Sequence, residues 1–178
     1  MAWMDIVSDI CTRYAGSAGG TASAPADPHR DYRNIAEAAP PQVMADALGH
    51  AFRSDQTPSF PEMVSSLFRQ SNPDQQAGLL NQLMGAIGPA ALASVPGLRE
   101  LPGSSGGGAT VTSQQASQIS AAQVQEAAAR AERDNPSVVD RVSGFYAQHP
   151  DVVKALGGAA ITIAIQHIAR RRQSSSPG

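Results

Sequence analysis

Two stretches of this chain are similar enough to predict an internal duplication. The first reads PSFPEMVSSLFRQSNPD and the second reads PSVVDRVSGFYAQHPD. With one residue near Asn72 skipped, the identical positions in the first copy are Pro58, Ser59, Val64, Ser65, Gln70, Pro73 and Asp74, and those in the second are Pro136, Ser137, Val142, Ser143, Gln148, Pro150 and Asp151. Weaker similarity continues on both sides, with Leu79 opposite Leu156. A duplicated chain is restricted to folds made of two similar substructures.

The composition indicates helices for both copies. Aromatic residues are only 4% of the chain, so the core must consist mainly of Ala, Leu, Val, Ile and Met. No stretch alternates between apolar and polar residues for long enough to predict a strand. Each copy is too small to be stable alone, so we expect the two to pack together, either within one chain or between chains. The predicted fold is an all-α, internally duplicated small helical bundle, with two copies of a roughly three-helix unit and a tethered N-terminal amphipathic helix.

Net charge and cysteine content exclude several classes of function. The formal net charge is -2 and the isoelectric point is near 6.0, which gives no electrostatic reason to expect a nucleic-acid partner. Cys11 is the single cysteine, so an intramolecular disulfide and a Cys-based zinc site are both excluded. Asp5 and Asp9 interrupt the apolar N-terminus, unlike a secretory signal. We expect a cytoplasmic protein, with a peripheral position at the inner membrane as the alternative.

Proline and glycine divide the chain into segments. We predict an N-terminal amphipathic helix (1–15), a flexible linker (16–28), a first helical copy (29–101), a Gly/Ser linker (102–111), a second helical copy (112–172) and a disordered tail (173–178). Helix starts in the first copy are predicted near Pro41, Pro61 and Pro73. In the second copy, Ser120 and Gln123 have the spacing of a capping box, and later breaks predict helices near 137–148 and 151–170.

Side chains suited to catalysis are scattered. The four histidines, His29, His50, His149 and His167, do not have the spacing of a metal site. Asp46 and His50 are four residues apart and could form a carboxylate-supported histidine, but an exposed helix pair is the favoured interpretation. Ser65 and Ser143 more often allow close helix packing than act as nucleophiles. We therefore predict no catalytic, metal-binding or cofactor-binding residue, and a protein that is not an enzyme.

The N-terminal helix is one candidate interaction element. Trp3, Val7, Ile10 and Tyr14 follow helical spacing and form one apolar stripe. The linker after this helix predicts that it is detached from the following segment. Binding in a partner groove, self-association, contact with a membrane surface and folding back onto the protein's own body are the alternatives.

The C-terminal helix is the other candidate interaction element. Residues 155–169 are apolar on nearly every side and precede an arginine cluster, which is typical of a membrane span. Fifteen helical residues rise only about 22 Å, against a hydrocarbon core of about 30 Å, so a buried bundle helix is favoured. The predicted interaction residues here are Leu156, Gly157, Gly158, Ile161, Ile165, Arg170, Arg171 and Arg172. The glycines would let another helix approach closely.

Segments 51–83 and 135–165 resemble a group of uncharacterised small bacterial proteins. Their short helical units, rich in Gly, Leu and Gln, also resemble, more distantly, the YidB-like family of unknown function. This resemblance implies an all-helical fold and a bacterial origin, and it supplies no catalytic motif. We therefore predict a non-enzymatic self-associating or scaffold protein that forms a homo-oligomer or binds a protein partner through its terminal helices. The alternative is a membrane-associated protein anchored by helix 151–170 and its arginine cluster.

Overall fold

The computed structural model of this chain describes residues 2–16, 27–87, 93–101 and 110–174, and the regular secondary structure in these ranges is helical. The helices are α1 (Ala2–Gly16), α2 (Pro28–Ala38), α3 (Pro41–Phe52), α4 (Phe60–Gln70), α5 (Pro73–Ala86), α6 (Ser113–Ala116), α7 (Ala121–Asp134), α8 (Val138–Ala147), α9 (Pro150–Val153) and α10 (Gly157–Ser174). A 3₁₀ turn, Lys154–Leu156, lies between α9 and α10. The predicted all-α class is confirmed. Most of both predicted linkers and of the predicted tail lies outside the described residues.

Helix starts follow local capping chemistry. The Ser120 hydroxyl accepts a hydrogen bond from the backbone N–H of Gln123, and the Gln123 side chain accepts one from the backbone N–H of Ser120, so the predicted capping box of α7 is confirmed. Helix α2 was not predicted, although it begins at a clear signal: the Asp27 side chain accepts a hydrogen bond from the backbone N–H of Arg30, and Pro28 occupies the first turn. The short helix α6 was not predicted either.

Helices of the first predicted copy pack against helices of the second. Helix α3 packs along α8, and α4 packs along α7. Under the duplication predicted from the sequence, α3 and α4 correspond to α7 and α8, so these two contacts would be equivalent under exchange of the copies. The duplication itself stays a prediction. A bidentate ion pair from Arg53 to Asp140, with both N···O distances 3.0 Å, joins α3 to α8 at the surface and raises the pKa of the guanidinium.

Small side chains bring these helices close together. Ser143 of α8 is fully buried, and a Cβ atom added to Gly49 of α3 would lie 3.4 Å from its hydroxyl oxygen. The Ser143 hydroxyl donates a hydrogen bond to the carbonyl of Val139 in its own helix, at 2.6 Å. The buried hydroxyl therefore has a hydrogen-bond partner within the contact between α3 and α8. On α7, the residues packed in the core are mainly alanines. The predicted packing role of Ser143 therefore agrees with its position.

Helix α1 is packed against the body of the protein. Val7, Ile10 and Tyr14 are buried, and α1 contacts both α10 and α2. The Tyr14 hydroxyl donates to the Asp31 carboxylate at 3.2 Å, and burial together with that carboxylate raises the Tyr14 pKa. Burying each aliphatic side chain of the stripe contributes roughly 1.5–3 kcal/mol, which offsets the cost of ordering the helix. The expectation that α1 is detached is therefore wrong.

The C-terminal segment is interrupted near its start. The predicted continuous helix over 151–170 is wrong, because α9 ends at Val153 and a 3₁₀ turn follows. Gly157 then has φ 82° and ψ 162°, a conformation open almost only to glycine. The chain turns there, and α10 packs against α1, α2 and α3. Within the described ranges no helix approaches either glycine closely: a Cβ added to Gly157 would meet nothing within 4 Å, and one added to Gly158 would make an ordinary 3.6 Å contact with Pro28.

This turn leads to a prediction for a pair of adjacent glycines. We expect Gly157→Ala to lower the free energy of unfolding by about 1–2 kcal/mol, because alanine is strained at this positive φ. Gly158→Ala should be neutral or slightly stabilising, since alanine has the higher helix propensity and its methyl group has room. Urea denaturation of both variants measures the difference. Equal effects would contradict the turn at Gly157.

Candidate functional site

The structure places most of the predicted interaction residues inside the protein. The buried ones are Val7, Ile10, Tyr14, Leu156, Ile161 and Ile165. Arg170 and Arg171 are exposed, and the side chains of Trp3 and Arg172 lie outside the part of the chain that the structure describes. Because these buried side chains already make contacts within this chain, a partner would have to bind exposed surface next to them. The prediction that these residues contact a partner stays a prediction.

One such surface is an open groove of about 420 Å³, which we call the Leu156 groove. It is lined by Pro58, Glu62, Met63, Ser65, Ser66, Arg69, Gln125 and Leu156. Helix α4, helix α7 and the 3₁₀ turn position these side chains. Met63 and Leu156 are only 2% and 7% exposed, so they form an apolar floor, and the other side chains are mostly polar. The groove can therefore hold an apolar side chain between polar groups.

The rim of the Leu156 groove carries one charge of each sign. The Glu62 carboxylate accepts hydrogen bonds from the backbone N–H and the hydroxyl of Ser59, at 3.1 and 3.0 Å, which fixes its position at the start of α4. The Arg69 guanidinium lies two turns further along α4, is exposed, and donates to the Ser66 hydroxyl at 3.4 Å. This arrangement can bind an apolar side chain that is flanked by an acid and a base.

The outer face of α1 presents such a group. Ile6 is 44% exposed, and Asp9 and Arg13 follow it at helical spacing on the same face. The latter two form an ion pair with an N···O distance of 3.2 Å, and both side chains are more than half exposed. Met4, the other exposed large apolar residue of the described chain, lies on the opposite edge of the helix. We call the Ile6, Asp9 and Arg13 side chains the Ile6 face.

A second polar cluster joins α3 to α10. The rings of His50 and His167 stack with centroids 4.2 Å apart and an interplanar angle of 19°. Asp46 forms an ion pair with Arg171 across the same contact, and both Asp46 and His50 are exposed on α3. Among the described residues, no group of three potential metal ligands comes together. Sequence reasoning missed this cluster because only the packing of α10 on α3 creates it.

The histidine stack predicts a pH dependence of stability. Burial lowers the pKa of His167 below its usual value of 6.5, and the neighbouring His50 and Arg171 lower it further against the opposite effect of Asp46. The unfolded chain therefore binds a proton before the folded chain does. Stability contributed by neutral His167 is present above about pH 6.5 and is lost as pH falls towards the lower folded pKa.

We expect His167→Gln to reduce the fall in the free energy of unfolding as the pH decreases, because glutamine does not bind a proton in this pH range. His50→Gln should also reduce it, by removing one of the groups that disfavour the charge on His167. Urea midpoints of the wild type and both variants, recorded from about pH 7.5 to about pH 5, measure the slope. An unchanged slope in His167→Gln would contradict the role of this ring.

One segment has the length and composition of a membrane span. Among the described residues, Pro150–Arg171 contains an 18-residue window with a mean hydropathy of 1.5. Half of this window is buried inside the protein, as in the core helix of a soluble bundle. Length and composition alone therefore give only a weak indication of membrane association.

Comparisons with known proteins do not place the chain in a family. No family model matches it, and no curated protein or solved structure is significantly similar to it. The resemblance to small bacterial helical proteins, and to the YidB-like family, stays a prediction.

Proposed function

We propose that this chain is a non-enzymatic bacterial interaction protein that self-associates, with the Ile6 face of one molecule bound in the Leu156 groove of another. The observation that carries this proposal is the complementarity between these two surfaces. On α1 an exposed apolar side chain is followed, on the same face, by a carboxylate and a guanidinium. In the Leu156 groove an apolar floor lies beside the same two kinds of charged group.

The charges define one orientation of the contact. With Ile6 over Met63 and Leu156, Asp9 of the incoming helix would face Arg69, which lies further along α4. Exposed ion pairs contribute only about 0–1 kcal/mol each, so burial of Ile6 against Met63 and Leu156 supplies most of the binding energy. The charges then select the orientation and disfavour the reverse one.

Because the two surfaces differ, the association is head-to-tail. Contacts of this kind either close into a ring or continue as an open chain of molecules. The measured mass distinguishes the two: a ring has one defined mass, whereas an open chain grows with concentration.

Light scattering of the 18.4 kDa protein and its variants tests the proposal. We expect the wild type to exceed the monomer mass, and both Ile6→Asp and Arg69→Glu to be monomeric. Combining Arg69→Glu with Asp9→Arg restores the opposite charges and should restore association. Met4→Asp is the matched control, because Met4 is equally exposed on the same helix but lies outside the Ile6 face. A monomeric wild type, or loss of association in Met4→Asp alone, would overturn the proposal.

A second candidate function is membrane association through the C-terminal segment. It is favoured by one observation, the length and apolar composition of Pro150–Arg171, a segment that turns at Gly157 in the structure. The self-association proposal places the protein in the cytoplasm, whereas this one places it at the inner membrane. Fractionation of cells expressing the full chain separates them: a protein that remains in the supernatant without detergent excludes the membrane candidate, and one that requires detergent supports it.

A further inference from the structure

A second cavity, separate from the Leu156 groove, lies where α2 meets α9 and α10. Its volume is about 370 Å³. Tyr32, His29 and Arg33 line it from α2, and Lys154 lines it from the 3₁₀ turn. Pro150 and Ile161 supply apolar wall, and Ile161 is 1% exposed. We call this space the Tyr32 cavity.

Two residues that line the Tyr32 cavity each have a buried polar atom without a hydrogen-bond partner among the described residues. These atoms are the hydroxyl of Tyr32 and Nδ1 of His29. Tyr32 is 1% exposed, and burial raises its pKa, so the hydroxyl keeps its proton and can donate. Folded proteins rarely leave a buried polar group unsatisfied, because its lost hydration is not replaced. A molecule that accepts a hydrogen bond from Tyr32 would satisfy this group.

The charges of the walls favour an anion. Lys154 and Arg33 are cationic, whereas Asp27 is the one acidic wall residue, and its carboxylate already accepts the backbone N–H of Arg30. A guanidinium nitrogen of Arg33 lies 3.7 Å from a carboxylate oxygen of Asp151, and both side chains are more than half exposed. Such an exposed pair is weak, so the guanidinium can turn to another acceptor at little cost.

From this geometry we infer that the Tyr32 cavity binds a small organic carboxylate. Its oxygens would accept hydrogen bonds from the Tyr32 hydroxyl and Arg33, with Lys154 adding positive charge, and its hydrocarbon part would contact Pro150 and Ile161. Two wall cations and one wall carboxylate suit a single negative charge better than the double charge of phosphate. The planar guanidinium can pair with two oxygens of a carboxylate or of a phosphate, so the charge of the walls is what favours the carboxylate. This binding site is independent of the self-association surfaces.

Benzoate is a suitable probe, with inorganic phosphate and benzylammonium as controls for the class and the sign of charge. We expect saturable NMR shift changes with benzoate in the millimolar range, at the residues of the Tyr32 cavity, and none there with benzylammonium. Phosphate should bind more weakly. Lys154→Gln and Arg33→Gln should each weaken benzoate binding by about tenfold, because each removes a charged partner.

Tyr32→Phe separates a ligand-binding hydroxyl from a structural one. It should weaken benzoate binding by about tenfold while leaving the melting temperature of the unliganded protein unchanged or raised, because an unpaired hydroxyl is removed. Tyr146→Phe is the matched control. The Tyr146 hydroxyl is 3.3 Å from that of Ser71 in the core, so this variant should melt about 3 °C lower and bind benzoate normally.

Three results would overturn the inference. The first is the absence of saturable shifts with benzoate, or equal shifts with benzylammonium. The second is phosphate binding in place of benzoate, which would exclude the carboxylate assignment. The third is a Tyr32→Phe variant that binds benzoate as the wild type does, or that melts lower by the same amount as Tyr146→Phe.

Discussion

Replacing Ala164 with aspartate is expected to destabilise the protein by about 4 kcal/mol, close to the whole stability of many small domains. Ala164 is fully buried on α10, in the layer that packs against α1 and α3. A carboxylate there would lose its hydration with no partner supplied in exchange. Ala159 lies in the first turn of the same helix and is exposed, so Ala159→Asp should not lower the free energy of unfolding. A negative charge near the N-terminus of a helix also interacts favourably with the helix dipole.

This pair also separates a bundle helix from a membrane helix. In a bilayer, aspartate is costly on any face of a helix, about 2.5–3.5 kcal/mol near its centre. In the bundle only the buried face is sensitive. Urea denaturation monitored by circular dichroism gives both free energies of unfolding. Similar losses at Ala159 and Ala164 would contradict the packing of α10 against α1 and α3.

After Ala164→Asp, we expect the largest loss of stability from a larger side chain at position 143. Ser143→Leu is expected to lower the free energy of unfolding by about 2–3 kcal/mol, because the added carbons must enter the tight contact between α8 and Gly49 of α3. Ser143→Ala is the matched control for the loss of the hydroxyl. That hydroxyl bonds only to a carbonyl of its own helix, so the alanine variant should remain near wild-type stability.

The equivalent residue of the first predicted copy gives a further comparison. Ser65 is 6% exposed and lines the open Leu156 groove, so a leucine side chain there has space beside it. We expect Ser65→Leu to be clearly milder than Ser143→Leu in the same urea experiment. Equal losses would indicate that the two positions have equivalent surroundings, contrary to the structure.

Local sequence signals predicted the helices well. The Ser120 and Gln123 capping box and the prolines at the starts of α3, α4 and α5 depend on groups within one helical turn, so the sequence is sufficient to predict them. The missed helix α2 had a similar signal, at Asp27 and Pro28, within the segment predicted as linker. The break at Gly157 was missed because the pair Gly157-Gly158, a local turn signal, was interpreted as a site of close helix approach within one continuous helix.

The candidate sites depend on contacts between distant segments. His50 and His167 stack only because α10 packs on α3, and the Leu156 groove combines side chains of α4, α7 and the 3₁₀ turn. In the Tyr32 cavity, Lys154 faces residues of α2 that lie far away in the sequence. No periodicity or spacing within one element encodes such pairs.

The sequence by itself determined the all-α class and the apolar stripe of α1, because helix propensity, capping and hydrophobic periodicity act over a few neighbouring residues. The tertiary structure alone decided what each stripe is buried against. It placed α1 on α10, where the sequence predicted a detached helix, and it left Ile6 exposed. The physical reason is that burial of apolar surface is non-directional: a stripe requires a partner, but only the packing of the whole chain selects which one.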